Sequence, residues 1–114
     1  MSDGRLPAHL EVAALIRRTQ AEGGFAAVLR RGEREAGTLM VVIPGNRGES
    51  KAYERMPLAD GSRGWHCAKE QVPDNPSDFD QYLTRRGEQD PDLWIIELDV
   101  PDGERFIGLP GKPR

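Results

Sequence analysis

The sequence predicts an α+β protein with an antiparallel sheet of about five strands and two helices on one face of that sheet. Two segments place apolar residues at helical spacing, and five short segments are apolar or alternate between apolar and polar residues. The first four of these strands are joined by short segments of turn residues, which favours an antiparallel meander over parallel strands with long crossovers. The predicted order is α-β-β-β-β-α-β.

The first helix is predicted from Leu6 to Glu22, where apolar side chains recur every three or four residues. Pro7 suits the first turn because its missing N–H has no partner there. The pair Gly23-Gly24 ends the helix, as glycine commonly does just past a helix C-terminus.

Two strands follow the first helix, with a charged turn between them. The first is Phe25 to Arg30. The second, Thr38 to Ile43, is apolar without a break and rich in β-branched residues, which is typical of a central strand covered on both faces. We therefore expect it to be the best-covered strand of the sheet.

The next two strands are separated by turns. Pro44 to Gly48 reads as a turn, and Ser50 to Met56 alternates in polarity. Tyr53 and Arg55 share one side of that strand, on a face that we expect to be exposed. Trp65 to Lys69 is the fourth strand.

The last third of the chain predicts a helix and a fifth strand. Asn75 can cap the helix, Pro76 fits its first position, and Asp90-Pro91 stops it. The strand Leu93 to Val100 has apolar residues on both faces. Phe106-Ile107 is expected to dock as a short turn.

The length and composition of the chain limit the classes of protein to which it can belong. The length of 114 residues fits a single domain over residues 1–114, with a core at about 6–107 and short flexible tails. One cysteine cannot form an intramolecular disulfide, which indicates a reducing compartment. No signal peptide or membrane-spanning apolar run is visible. We therefore expect a soluble cytoplasmic protein without membrane association.

The stretch Trp65-His66-Cys67 gathers rare residue types, yet strand alternation separates them. His66 and Cys67 should point to opposite faces, so His66 cannot activate the thiol as a Cys-His nucleophile requires. Trp65 and Cys67 should share a buried face, because free cysteine is among the most buried residue types. A reactive Cys67 is the alternative.

No metal or cofactor site is predicted. Zinc needs three or four ligands, and the histidine and cysteine candidates are only His9, His66 and Cys67, with Cys67 facing away from His66. The loop PGNRGESK lacks the phosphate-loop spacing and precedes a strand, so no helix N-terminus would face an anion.

Glu97 interrupts the apolar fifth strand, on the side of Leu93 and Ile95. It could form an ion pair with a neighbouring arginine or serve as a functional carboxylate in a cleft. The ion pair is favoured, because buried charges are usually paired.

Surface arginines supply the remaining candidates for binding. They cluster at the first hairpin, and Tyr53 with Arg55 could join them, since arginine beside an aromatic ring can bind nucleic acid or an acidic peptide. Interleaved glutamates and a net charge of −3 argue against nucleic acid. The predicted binding residues are Arg30, Arg31, Arg34, Tyr53, Arg55 and His66.

Several segments resemble a small bacterial family known as domain of unknown function 1491. They are HLEVAALIRR, GGFAAVLRRG, AGT, YERM and, most specific, QDPDLWIIELD. The resemblance runs from about Leu6 to Ile107. It implies a small single-domain protein with no assigned activity, so it transfers no catalytic residue.

The sequence thus favours a non-enzymatic protein-binding or adaptor module, since no complete catalytic constellation is present. An unknown protein could bind at the arginine hairpin or add a strand to an open sheet edge, where a homodimer could also form. The alternative is nucleic-acid or anion binding through Arg30, Arg31 and Arg34. A small enzyme using Cys67, His66 or Glu97 is the third hypothesis.

Overall fold

In a computed structural model, residues 6–45 and 49–109 are described. Their elements follow the predicted order along the chain, and a short 3-10 helix is added after the last strand. The elements are α1 (Ala8–Ala21), β1 (Phe25–Arg30), β2 (Leu39–Pro44), β3 (Ser50–Pro57), β4 (Arg63–Glu70), α2 (Pro76–Gln89), β5 (Trp94–Asp99) and the 3-10 helix (Gly103–Ile107).

The five strands form one sheet in the order β1-β5-β2-β3-β4. The successive pairs β2-β3 and β3-β4 are antiparallel, as predicted. Strand β5 instead inserts between β1 and β2, antiparallel to β1 and parallel to β2. The sheet is therefore mixed, and the prediction of a purely antiparallel sheet was wrong.

The parallel pair of β2 and β5 forms because these are the two most apolar strands. In β2 and β5, neighbouring residues are buried on both faces, so these strands occupy the middle of the sheet. Helix α2 lies between β4 and β5 in the chain and supplies the length that a parallel crossover needs. Strand β1 is left at the edge.

The helices pack on opposite faces of the sheet, so the prediction of both helices on one face was wrong. Every residue from Leu39 to Ile43 is buried, and one layer of helices could cover only alternate residues of that strand. The α1 face holds a core of Val12 and Leu15 with Leu39, Val41, Ile96 and Leu98. The α2 face holds Phe79 with Met40, Val42, Ala52, Leu93 and Ile95.

The predicted start and stop signals hold at most element ends. Gly23 follows α1 with a φ of 82°, a left-handed conformation that glycine adopts without steric cost. Pro76 begins α2, although Asn75 makes no side-chain capping hydrogen bond. Phe106 and Ile107 are buried against the α1 face, as expected of a docked turn.

Two expectations fall largely on residues outside the described ranges. These are the turn at Pro44 to Gly48 and the flexible tails. Neither α1 nor α2, the two α-helices of the described ranges, is long and apolar enough to cross a bilayer.

Candidate functional site

Strand β1 is an edge strand with exposed apolar side chains. Within residues 6–45 and 49–109, only β5 pairs with it, so the backbone groups of its outer side lack a strand partner. Phe25 is 78% exposed, Leu29 48% and Val28 41%. Edge strands are usually protected by charged residues or proline because unpaired edges attract other strands. Strand β1 has neither protection between Phe25 and Leu29.

The exposed side chains of β1 lie mainly on the α2 face. Phe25 pairs with Asp99 and Ala27 with Glu97, and both pairs lie on the side of β5 that carries Ile95. A β-bulge falls between Val28 and Arg30. Since Leu29 lines a cavity together with Ile95, it also faces that side. The α2 face therefore continues over β1 as an apolar strip.

Helix α2 leaves this strip uncovered because it is anchored over the opposite half of the sheet. Arg86 of α2 pairs with Glu54 of β3 at 2.5 Å. Asp78 of α2 pairs with Lys69 of β4, also at 2.5 Å. Lys69 further lies 5.8 Å from the ring centre of Tyr82. These contacts hold α2 over β3 and β4, away from β1.

A cavity of about 350 Å³ separates α2 from β1. Strands contribute Leu29, Arg30 and Ile95, and α2 contributes Asp80, Leu83 and Glu88. We call the exposed residues Phe25, Ala27, Val28 and Leu29, with this cavity, the edge surface. It combines an open backbone with a partly apolar cleft, which is the form of a peptide-binding site.

Arg30 closes one end of the cavity by lying against α2. A Cβ at position 87 would come within 2.4 Å of Cδ of Arg30, so the side chain occupies the space that Gly87 leaves open. This contact explains the glycine in the last turn of α2, a position where glycine is less favourable than alanine by about 1 kcal/mol. Arg30 is thereby held over α2.

Glu97 lies on the floor of the α2 face, between Ala27 of β1 and Val42 of β2. Burial raises the pKa of its carboxyl group, and the negative charge of Asp99 raises that pKa further. No cation of the described residues forms an ion pair with Glu97. The predicted ion pair was therefore wrong, and the carboxylate lies partly buried beside the edge surface.

Strands β1 and β2 do not pair, so the predicted first hairpin is absent, and its three arginines do not form one cluster. Arg34 contacts His9, with 3.1 Å between its Nη2 and Nε2 of His9, while Arg30 lies over α2. Arg31 is exposed and makes no ion pair with any residue that the structure describes. Of these three arginines, Arg31 is the one available at the end of β1.

Tyr53 and Arg55 are occupied within the fold, so the expectation that they lie on an exposed face was wrong. Tyr53 is buried and donates its hydroxyl hydrogen bond to Glu104 at 3.1 Å. The side chain of Arg55 is 10% exposed and forms a bidentate pair with Glu11 of α1. Its guanidinium also lies 4.5 Å from the ring centre of Trp65. Both residues stabilise the α1 face.

His66 and Cys67 lie on opposite faces of β4, as alternation predicts. His66 is exposed, and Cys67 shares its side with Trp65 and Tyr53. The predicted burial of Cys67 was wrong, because β4 is an edge strand and the thiol reaches solvent. Partial burial and the charge of Glu70 nevertheless raise the pKa of the Cys67 thiol, which disfavours a reactive thiolate.

The three residues of the predicted enzyme are not brought together. His66 and Cys67 belong to β4, whereas Glu97 belongs to β5, with β2 and β3 between them. No group of three metal-ligating side chains occurs in the part of the chain that the structure describes.

Sequence reasoning missed the importance of Phe25 and Leu29. The signal was present, because Phe25 to Leu29 is an uncharged apolar run next to Arg30-Arg31. Such a run is buried in a central strand and exposed in an edge strand. Whether the run from Phe25 to Leu29 is exposed therefore depends on β5, which takes the place beside β2 and leaves β1 at the edge.

The fold and the site define a small α+β protein with a mixed five-stranded sheet and an open apolar edge. The chain belongs to the family described as protein of unknown function (DUF1491), whose model matches residues 6–108. No curated protein matches the chain.

Three solved structures resemble this one over almost the entire chain. A crystal structure of a DUF1491 family protein from Caulobacter crescentus CB15 is 31% identical, with a TM-score of 0.78, covering 95% of this chain and 100% of that one. An NMR structure of a DUF1491 family protein from the same organism is 32% identical, with a TM-score of 0.74 and coverages of 95% and 97%. The solution structure of Atu0922 from A. tumefaciens is 28% identical, with a TM-score of 0.76 and coverages of 96% and 98%.

Proposed function

We propose that this protein is a non-enzymatic protein-binding module that accepts an extended strand of a partner protein along the outer edge of β1. The observation that carries this proposal is the 78% exposure of Phe25 on β1, whose outer edge pairs with no strand of the described residues. A large apolar side chain in that position is costly to leave in water and promotes pairing with another strand.

Strand addition uses both parts of the edge surface. The unpaired N–H and C=O groups of β1 form the ladder with the added strand, which gives affinity independent of sequence. Side chains on the added strand then contact Phe25 and Leu29, which selects apolar partners. Complete burial of one such large apolar side chain contributes about 1.5 to 3 kcal/mol.

Charges at the two ends of β1 define the partner further. Arg30 and Arg31 lie at its C-terminal end, and Glu97 and Asp99 lie beside its N-terminal half. An antiparallel partner strand is therefore favoured when an acidic group meets the arginines and a basic group meets the carboxylates. The partner segment is apolar for about five residues, the length of the exposed run, with charged ends of opposite sign.

The contacts of the arginines favour this function over binding to nucleic acid. Arg34 is engaged with His9, and Arg30 lines the same cavity as the carboxylates of Asp80 and Glu88. Negative groups at the same cavity repel phosphates, so the electrostatic attraction that nucleic-acid binding requires is weak here.

Site-specific photo-cross-linking in cells tests the proposal. A photoreactive phenylalanine analogue such as p-benzoylphenylalanine replaces Phe25, and the cross-linked peptide is identified by mass spectrometry. The matched control carries the same analogue at Val72, which is 46% exposed in the loop between β4 and α2.

The proposal predicts one dominant cross-linked protein from position 25, absent from position 72 and lost when Leu29→Lys is added. Adducts of equal yield and identity from both positions would contradict it, as would no adduct from position 25.

A further inference from the structure

We infer that the strand added to β1 is β1 of a second copy of this chain, paired antiparallel about a two-fold axis at Ala27. The inference rests on the proposed function, because it names the partner for the same edge surface. Two-fold symmetry requires a surface that is complementary to itself.

The residue sequence of β1 meets that requirement. Centred on Ala27, Phe25 of one copy lies opposite Leu29 of the other, and Ala26 lies opposite Val28. All five positions are apolar, so no charge is opposed by an apolar group or by a like charge. The small Ala27 meets its own copy at the axis.

The same register matches the faces. Phe25, Ala27 and Leu29 lie on the α2 face, while Ala26 pairs with Leu98 and Val28 with Ile96 on the α1 face. Antiparallel pairing of two identical edges places the α2 faces of both copies on the same side of the joined sheet. The most exposed side chains, Phe25 and Leu29, are therefore brought against each other on one continuous face.

The charges flanking β1 are complementary under the same symmetry. Arg31 of one copy approaches the N-terminal end of the other β1, beside which Asp99 lies exposed. Glu97 adds a second carboxyl group there and forms no ion pair with the described residues. The arginine end of each copy thus meets the carboxylate end of the other, so the contact occurs twice in the dimer. This favours the antiparallel orientation and makes the association weaker in high salt.

The other sheet edge does not fit a second copy in this way. Strand β4 carries Arg63, Lys69 and Glu70 and has a bulge where it pairs with β3. Lys69 is held by Asp78 of α2. Both edge strands contain a bulge, but charged residues also protect an edge from pairing. The run from Phe25 to Leu29 carries no charge, so β1 is the edge left for association.

Sedimentation velocity of the purified chain over a wide concentration range tests the inference. We expect a reversible monomer–dimer equilibrium, with Leu29→Lys weakening the dimer by at least about tenfold, a loss of about 1.4 kcal/mol. Val72→Lys introduces the same charge at an equally exposed position and should leave the equilibrium unchanged. Circular dichroism confirms that both variants fold.

Disulfide trapping tests the register. In a Cys67→Ser background, Ala27→Cys should form a covalent dimer on mild oxidation, because residues facing their own copy across an axis come within disulfide reach. Val72→Cys is the control and should stay monomeric. A monomer at all concentrations overturns the inference, and so does trapping that is equal at both positions. If position 25 then cross-links a different protein in cells, the proposed function stands alone. If it cross-links nothing, both fail.

Discussion

The side chain of Arg30 occupies the space that Gly87 leaves open on α2, so that a Cβ at position 87 would lie 2.4 Å from Cδ of Arg30. The contact joins the edge strand to the helix that borders the cavity. The ion pairs of α2, by contrast, run to β4 and β3 in the other half of the sheet.

This contact predicts that the effect of Gly87→Ala on the free energy of unfolding depends on the residue at position 30. Alanine in a helix interior is favoured over glycine by about 1 kcal/mol. In an Arg30→Ala background we expect that full gain in the free energy of unfolding. In the wild-type background we expect a smaller gain, because Arg30 must leave its position. Urea unfolding of the four proteins in a double-mutant cycle measures the coupling, and equal gains in both backgrounds would show that the side chains do not interact.

Removing one partner of the Arg55–Glu11 pair should cost more stability than removing one partner of an exposed ion pair. Both side chains are largely buried between α1 and β3, so removing one partner leaves a poorly solvated charge. We expect Glu11→Ala to lower the free energy of unfolding by about 2 to 4 kcal/mol, near the range for broken buried pairs.

The exposed pair between Lys51 and Glu70, at 3.9 Å, is the control. Lys51→Ala should cost less than about 1 kcal/mol, as exposed pairs do. Equal losses in the two variants would mean that the Arg55–Glu11 pair is as solvated as a surface pair.

Because the Tyr53 hydroxyl has a raised pKa in the folded protein, we expect the free energy of unfolding to fall at alkaline pH. Burial raises the pKa of its hydroxyl, and the charge and hydrogen bond of Glu104 raise that pKa further. The unfolded chain loses this proton near pH 10, whereas the folded chain keeps it to higher pH. The unfolded state therefore binds fewer protons above about pH 10, and stability falls as the pH rises.

Tyr53→Phe removes this dependence. We expect a loss of about 1 kcal/mol at pH 8 from the missing hydrogen bond. The difference from the wild type should then shrink as urea midpoints are measured from pH 8 to pH 11. A constant difference across that range would show that Tyr53 titrates alike in both states.

Cys67 should react with thiol reagents in the folded protein, but slowly. Its thiol reaches solvent, while partial burial and Glu70 raise its pKa and reduce the thiolate fraction. We expect labelling by an aromatic disulfide at pH 8 to be slower than that of the urea-unfolded chain, and Glu70→Gln to accelerate it. Complete protection until unfolding would contradict the exposure, and a rate equal to that of the unfolded chain would contradict the raised pKa.

Local elements of this fold follow from the sequence, whereas the arrangement of the strands does not. The helix stop at Gly23 and the helix start at Pro76 each depend on residues close by in the chain. The position of β5 depends on a comparison among all strands. Its apolar residues on both faces qualify it for the centre, but the choice of β2 as its parallel neighbour is a tertiary property.

The candidate site shows the same division. Strand alternation places His66 and Cys67 on opposite faces, because side-chain direction is a local property. The ion pair of Arg55 could not be predicted from local sequence, because it depends on α1 packing above β3 and placing Glu11 next to Arg55. The exposure of Phe25 likewise depended on which strand became the edge.

Amide hydrogen exchange along Phe25 to Leu29 is the most direct measurement of whether β1 accepts a strand. In dilute protein the outward-facing amides of β1 should exchange rapidly, because no strand of residues 6–45 and 49–109 pairs with them. In concentrated protein those amides should become protected, while the outward-facing amides of β4 exchange at the same rate in both samples. Rapid exchange of the β1 amides at every concentration would contradict pairing of β1 with a second copy.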